Sequence, residues 1–510
     1  MRSRKLVWGP ALSAVSLAAQ MTAVFLLMPL MIRAYGDMQF GLWVLALPFM
    51  GYAGGLNLGL YAAANRFLSR AIGSGGPAGD RDIRDVSATA FYLFIFLAFF
   101  WTLAVLGVSC AAPMFLNGDA QIRLFRELLL ILCVYNGLVF PTAVFENTLA
   151  AHLRYDLIYG TRTLGTLARV LLTIFLIRHG HGLIGVAWGM AACGIAEAFL
   201  EVLLSRAVEK RTSVLPRHFH WARARQMFDY GFYAVIGKLG DLLRFRADAF
   251  VVTFFSGVRF VTPFRIASGI NEYFHQFMGG LTGIFNPYFS QEEGRNNLEG
   301  IREKFLFVTK ITAFVAAFAG ALAVGLGRDF LERWIGPGHA IAYPLLLILI
   351  LPNAFVMAQG PVFPLVYGIS KHRFMNYVNL GEGILNLLLS VLLAPTMGVF
   401  GVAWGTAIPM LITAVVIQPL YVVRALEIPL GRYGKAFLTP FFTSAAVLLV
   451  SGLVMAPYLA PTYPSLLFFG AVQTAVFIPF VFYLGFNKHE RDHLVAALGN
   501  RSAGKSGAVA

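Results

Sequence analysis

Gly182-Leu-Ile-Gly-Val-Ala-Trp-Gly189 returns 216 residues later as Gly398-Val-Phe-Gly-Val-Ala-Trp-Gly405, and each copy opens a long apolar segment. Three further echoes keep nearly the same spacing. Gly137-Leu-Val-Phe-Pro141 matches Gly360-Pro-Val-Phe-Pro364 at an offset of 223, and Asn65-Arg-Phe-Leu-Ser69 matches Asn286-Pro-Tyr-Phe-Ser290 at 221. Gly36 and Gly257, also 221 apart, precede similar apolar runs. One such match in a chain rich in Gly, Ala and Val is weak. Four in register imply a module copied head to tail, with loop insertions absorbing the drift. In a membrane, internal repetition of this kind is characteristic of transporters.

Composition puts the chain in a bilayer. Of its 510 residues, 58% are hydrophobic and only 13% charged, about half the charged share of a soluble domain. Mean hydropathy is +0.71. About twenty apolar residues cross the hydrocarbon core. Runs of that length recur at 10–33, 40–64, 86–110, 124–150, 160–178, 183–205, 227–256, 261–288, 305–327, 341–368, 375–396, 399–423, 434–456 and 464–486. The expected fold is therefore an all-α polytopic membrane protein of about 14 transmembrane helices. The basic N-terminus could open a signal peptide, but its apolar run continues to about Ile32, so an uncleaved first helix is expected. Cys110, Cys133 and Cys193 fall in or at the end of apolar runs without ligand spacing, and are read as packing residues.

A net charge of +15 invites a nucleic-acid reading, but the distribution of the cations argues for topology instead. Alternating the spans from a cytoplasmic N-terminus puts 27 of the 40 Lys and Arg on one side, 8 on the other and 5 within spans. That asymmetry is the positive-inside bias, and it implies cytoplasmic termini. The repeats divide the chain into a six-helix lobe over 1–206 and another over 226–426, joined by a basic linker, 207–225. Two added helices over 427–490 and a polar tail, 491–510, complete it; the tail is expected to be disordered. An even number of spans in each half gives both copies one orientation, as in parallel repeats.

This arrangement resembles the multidrug/oligosaccharidyl-lipid/polysaccharide (MOP) exporter superfamily, specifically its branch of O-antigen and exopolysaccharide export proteins. The resemblance is carried by Phe40-Gly-Leu-Trp43 after Gly36, Asn57-Leu-Gly-Leu60, Arg246-Ala-Asp248 before Gly257, and Asn286-Pro-Tyr-Phe-Ser290. Trp334-Ile-Gly336, Tyr367-Gly368 with Lys371-His-Arg373, Asn386-Leu-Leu-Leu-Ser390 and both GVAWG copies add to it. It implies an alternating-access flippase of the bacterial inner membrane. The substrate would be a polyprenyl-diphosphate-linked glycan, with membrane lipids and a glycan polymerase of the same pathway as partners.

The seventh span carries the sharpest chemical signal: Lys238, Asp241, Arg244, Arg246 and Asp248 in one apolar segment. Five ionised groups at a helix centre cost on the order of 15 kcal/mol, against about 7 returned by fifteen or so apolar neighbours. This helix must turn a polar face to protein or water. At 100° per residue Lys238, Asp241, Arg244 and Asp248 share about a third of its circumference. In the eighth span Arg265, Glu272 and Gln276 form a stripe flanked by Asn271 and His275. The charges either cancel one another as structural pairs, or line an aqueous chamber with cations in excess. On the second reading Lys238, Arg244, Arg246 and Arg265 receive the diphosphate, because Arg presents a fixed fork of donors to phosphate oxygens. Asn271, Gln276, Gln20 and Asn57 would bond sugar hydroxyls, and Asp241, Asp248, Glu272 and His275 are candidates for ion coupling. Glu146, Asn147, Arg169, Glu197, Glu201, Glu382 and Asn386 either line the chamber or form internal networks, and Glu201, near a cytoplasmic helix end, is expected to be solvated or snorkelling.

No P-loop, HExxH, paired CxxC or GxSxG motif is present, so a transporter without cofactor or metal is expected. Within the superfamily, a cation-coupled multidrug antiporter would be expected to carry an acid in its first span, where this chain has none from Leu12 to Ile32. A peptidoglycan-precursor flippase would be expected to place arginines there. A glycosyltransferase or polymerase would need a larger extramembrane loop than any present.

Overall fold

The computed structural model of the chain describes residues 2–231, 246–455, 458, 462–488 and 490–491, with backbone alone for 2–11, 50–58 and 484. Every regular element among them is helical. We number the α-helices α1 Arg2–Ser74, α2 Gly76–Ala111, α3 Asp119–Ala151, α4 Tyr155–Arg178, α5 Leu183–Val208, α6 Asp248–Ser256, α7 Val261–Gly283 and α8 Asn286–Gly294. Next come α9 Leu298–Trp334, α10 Ala342–Ala358, α11 Val362–Gly368, α12 His372–Met397, α13 Val399–Leu426, α14 Leu430–Met455 and α15 Tyr463–Phe480. Ten helices among the described residues are long and apolar enough to cross a membrane, or eleven if α10 and α11, bent by 42°, form one span. The polytopic all-α class expected from hydropathy is thus what the chain adopts.

The repeat is written into the backbone as well as the sequence. Left-handed φ values pair up as Gly36 with Gly257, Gly75 with Asn296, Gly118 with Gly336, Leu153 with Ser370 and Gly180 with Gly398, at offsets of 221, 221, 218, 217 and 218. Such φ values are needed where the chain reverses sharply, and glycine reaches them without a Cβ clash. The two halves therefore reverse direction at equivalent points. Glu427, at φ 52, has no counterpart and marks the exit from the second copy.

The structure departs from several expected boundaries. The runs over 10–33 and 40–64 are two helices that follow one another through a kink at Gly36 (φ 72, ψ 170), and α1 comprises both. The span expected over 261–288 stops at Gly283, and Pro287 opens α8 in its first turn, where a missing N–H leaves no hydrogen bond unmade. Arg162, counted among the cytoplasmic cations, lies inside α4, as the run over 160–178 implies. Residues 232–245 of the expected span over 227–256 lie outside the described residues, as do residues 492–510 of the tail.

Two compact units divide the chain: Met1–Arg265 with Asn379–Gly405, and Ile266–Val378 with Thr406–Ala510. In the first, small residues of α1 (Ala63, Ala64) let Val86, Ala90 and Phe94 of α2 and Val144 and Phe145 of α3 close into one core. In the second, Phe305 of α9 stacks on Tyr433 of α14 among Phe289, Met357 and Val366. Phe96, Phe99 and Phe100 of α2 point outward, as the apolar side chains of a membrane span that face lipid do. The GVAWG copies act in packing. Gly401 and Gly405 of α13 lie directly against the backbone of α12, at Leu393 and Ser390.

Candidate functional site

A ladder of polar side chains runs through the first unit, supplied by four helices. Glu146, one turn from the end of α3, pairs with Arg162 of α4 and accepts a hydrogen bond from Tyr61 Oη of α1 at 3.0 Å. Deeper along the same helices, Arg169 Nη1 of α4 donates to Glu197 Oε2 of α5 at 2.8 Å. Helical spacing builds this: Arg162 and Arg169 recur at seven residues and Glu197 and Glu201 at four, so each set shares a face. Gly165 lies between the two arginines. A Cβ there would meet the Glu197 carboxylate, with Cδ only 2.9 Å away, so the missing side chain makes room for the acid. Glu201, 7% exposed, forms the intermediate rung: its Oε1 is 3.3 Å from Thr161 Oγ1. Each charge alone in hydrocarbon would cost about 2.5–3.5 kcal/mol; Glu146 and Glu197 are balanced by their arginines.

Of the two readings open for Glu146, Arg169, Glu197 and Glu201, the internal network is the one this geometry supports. Tyr61, Thr161 and Arg162 were missed as its members. The seven-residue recurrence of Arg162 and Arg169 on an apolar helix was the available signal.

Lys238, Asp241 and Arg244 lie outside the described residues, and the side chain of Asn57 does too. Arg246 is half-buried, and Asp248 is buried in the first turn of α6, where a negative charge suits the helix dipole. Arg265 is half-buried on α7 at the end of the first unit. In the second unit Asn271 and His275 come together on α10: Asn353 Nδ2 donates to Asn271 Oδ1 at 2.9 Å, and His275 Nδ1 is 3.5 Å from Asn353 Oδ1. Asn353 was not anticipated. Glu272 and Gln276 are half-buried on the same helix. Gln20 is exposed and donates to Ser16 Oγ at 3.2 Å. Glu382 and Asn386 are buried on α12, with Ser390 Oγ 3.5 Å from Asn386 Oδ1.

The basic stretch after α5 is strapped to the start of α2. Arg211 pairs with both Asp80 and Glu209, Arg223 Nη2 donates to Asp82 Oδ1 at 2.7 Å, and His220 Nε2 is 3.3 Å from Asp85 Oδ2. Ser213 and Ser87 exchange hydrogen bonds at 2.9 and 3.1 Å. Glu209 is the buried centre of this strap, accepting from Arg211 Nε at 2.7 Å with His152 Nε2 at 3.0 Å. The Arg211 hydrogen bonds hold its carboxyl down at about 2, against an ordinary 4.5. A depressed carboxylate stabilises the fold above its unfolded value and loses that contribution as pH falls toward its folded value. Between pH 4.5 and 2 the wild type is therefore expected to lose about 1.5–3 kcal/mol from this site, the range for hydrogen bonds to a charged group. Glu209→Gln should be less stable at neutral pH and flatter across that window. Equal acid slopes for the two proteins in thermal melts would remove Glu209 as the cause.

Residues 79–328 match the model of a family described as Polysaccharide biosynthesis protein. The "Uncharacterized membrane protein EpsK" of Bacillus subtilis (strain 168) is 21% identical over 314 residues, which is 60% of this chain and 61% of that protein. The alignment thus spans about three fifths of that relative's length. Two solved structures are similar almost throughout their own chains. One is an inward-facing multidrug resistance MATE family transporter of the MOP superfamily: 16% identity, TM-score 0.65, covering 79% of this chain and 98% of that one. The other is the lipid II flippase MurJ in an inward closed conformation: 14% identity, TM-score 0.68, covering 94% and 99%. The chain has the fold of the MOP exporters. The resemblance to that superfamily and its polysaccharide branch, read first from short motifs, is borne out. The chain is a multi-pass membrane protein with a transporter fold.

Proposed function

We propose that this chain is a flippase carrying a polyprenyl-diphosphate-linked oligosaccharide across the bacterial inner membrane, for O-antigen or exopolysaccharide synthesis, by alternating access. One observation carries the reading. The stretch matching the polysaccharide family, 79–328, contains the cations of the seventh and eighth spans, Lys238, Arg244, Arg246 and Arg265. A diphosphate is a multivalent anion that cannot enter hydrocarbon unaided, and these groups are the receptor for it. Asn271, Gln276, Gln20 and Asn57 serve the sugar hydroxyls; Asp241, Asp248, Glu272 and His275 balance the cations or bind a coupling ion.

The lobes 1–206 and 226–426 alternate around the headgroup while the lipid tail stays in the bilayer, and the helices over 427–490 extend a groove for it. Both termini are cytoplasmic, following the basic-loop asymmetry, and the released product passes to a glycan polymerase. A second reading, a flippase for a peptidoglycan precursor, is favoured by the 94% coverage against the lipid II flippase; the first span, which lacks arginine between Leu12 and Ile32, counts against it.

Single replacement of Lys238, Arg244, Arg246 and Arg265 by Ala is expected to cut surface glycan roughly tenfold or more, because losing one charge-assisted hydrogen bond costs about 1.5–3 kcal/mol. Surface glycan is quantified alongside membrane protein level. Undiminished export in all four variants, at normal protein level, sinks the proposal.

A further inference from the structure

We propose that Glu201 is a proton-binding group of the first unit, a carboxyl carried neutral inside the helix bundle and emptied during the transport cycle. Charge balance comes first. The transmembrane ladder holds three acids, Glu146, Glu197 and Glu201, against two arginines. Arg162 is taken by Glu146 and Arg169 by Glu197. Glu201 has no ion-pair partner among the described residues, although it is 7% exposed and lies seven residues, roughly 10 Å, inside the end of α5. A lone carboxylate there carries an unbalanced charge; a carboxylic acid carries none.

Hydrogen-bond accounting gives the same answer independently. Thr161 Oγ1 lies 3.0 Å from Leu157 O, 2.9 Å from Ile158 O and 3.3 Å from Glu201 Oε1. A hydroxyl has one hydrogen to give, and a helical threonine spends it on a carbonyl of the preceding turn. With that hydrogen used, Thr161 presents a lone pair to Glu201, and two acceptors face each other unless the carboxyl supplies a proton. One turn further along the same face of α5, Ser205 Oγ is fully buried and has no hydrogen-bond partner among the described residues. It extends the polar path from Glu201 toward the Glu209 strap at the helix end.

The groups facing Glu201 are Tyr61 of α1, Tyr135 and Glu146 of α3, Arg162 of α4, and Glu197 of α5. The step is a simple proton transfer: the Glu201 O–H bond breaks, its electron pair stays on the carboxylate, and the proton passes to water at the helix end. The proposal rests on the transporter reading for the use made of the proton, not for its binding.

The test is infrared difference spectroscopy of the full-length protein in lipid vesicles, stepped from about pH 6 to 9, where exposed carboxylates stay ionised. The expected result is a protonated-carboxyl C=O band lost on the upward step, absent in Glu201→Gln, kept in Glu197→Gln, and shifted in frequency in Thr161→Val. No titrating band in the wild type, or a band that survives Glu201→Gln, overturns the proposal. Should Glu201→Gln not fold, a band unmoved by Thr161→Val overturns it equally. Loss of the band on adding Na⁺ at constant pH would assign the site to a metal cation instead and also overturn it. Because this readout needs no substrate, a proton site found in a protein that exports no glycan would count against the flippase reading alone.

Discussion

Arg169→Ala is expected to destabilise the protein by about 3 kcal/mol, with a matching fall in thermal melting temperature in detergent. The pair it breaks is close, with Nη1 and Oε2 2.8 Å apart, and Glu197 is only 15% exposed. Removing one partner of a buried pair strands the other charge, which costs about 3–5 kcal/mol; the quarter-exposed arginine places the effect at the lower end. The control separates the pair from the packing. Arg169→Met with Glu197→Leu removes both charges at similar volume and is expected to recover most of the loss, since replacing a buried pair by apolar residues is often neutral or stabilising. A double variant as unstable as Arg169→Ala would show that something other than the stranded carboxylate is responsible.

The second large effect separates two residues that look identical in sequence. Gly189 and Gly405 close the two GVAWG copies. A Cβ on Gly405 would lie 2.5 Å from Ser390 N and 2.7 Å from Ser390 Cα, and would also strike its hydroxyl. These are mainly backbone atoms of α12, so the helices must move apart. Overpacking of this kind costs about 1–3 kcal/mol, and Gly405→Ala is expected at the top of that range. A Cβ on Gly189 would meet Leu176 Cδ1 at 2.6 Å and Leu172 Cδ2 at 3.2 Å, both ends of flexible side chains. Gly189→Ala is therefore expected to cost less than about 1 kcal/mol. Melting temperatures of the two variants, measured in one detergent, decide it; equal losses would mean that the motif works through something other than helix contact.

Reading the sequence reached further into the fold than into the polar sites. Hydropathy found the spans because a bilayer leaves backbone groups no partner outside the helix, and about twenty residues are needed to cross it. The repeat echoes at Gly36 and Gly257 turned out to be backbone reversals, at φ 72 and 93, since glycine is the residue that reaches such angles without strain. Pairing was harder to see. Glu146 and Arg162 stand sixteen residues apart on different helices, and no local spacing couples them. The cations of the 207–225 stretch were legible, but not that Asp80, Asp82 and Glu209 would receive them, because α2 opens with acids and bases interleaved.

The amino-acid order alone determined that this chain crosses a membrane many times, is built from a doubled module, and reverses direction at equivalent glycine-rich points. All three follow from local properties: the solvent each side chain prefers and the φ values each residue tolerates. Only the tertiary structure decided which acid meets which arginine, why Glu201 is left without one among the described residues, and which of two identical glycines has no room for a methyl group. Those outcomes depend on how close two helices come, and that distance is set by all the side chains between them at once.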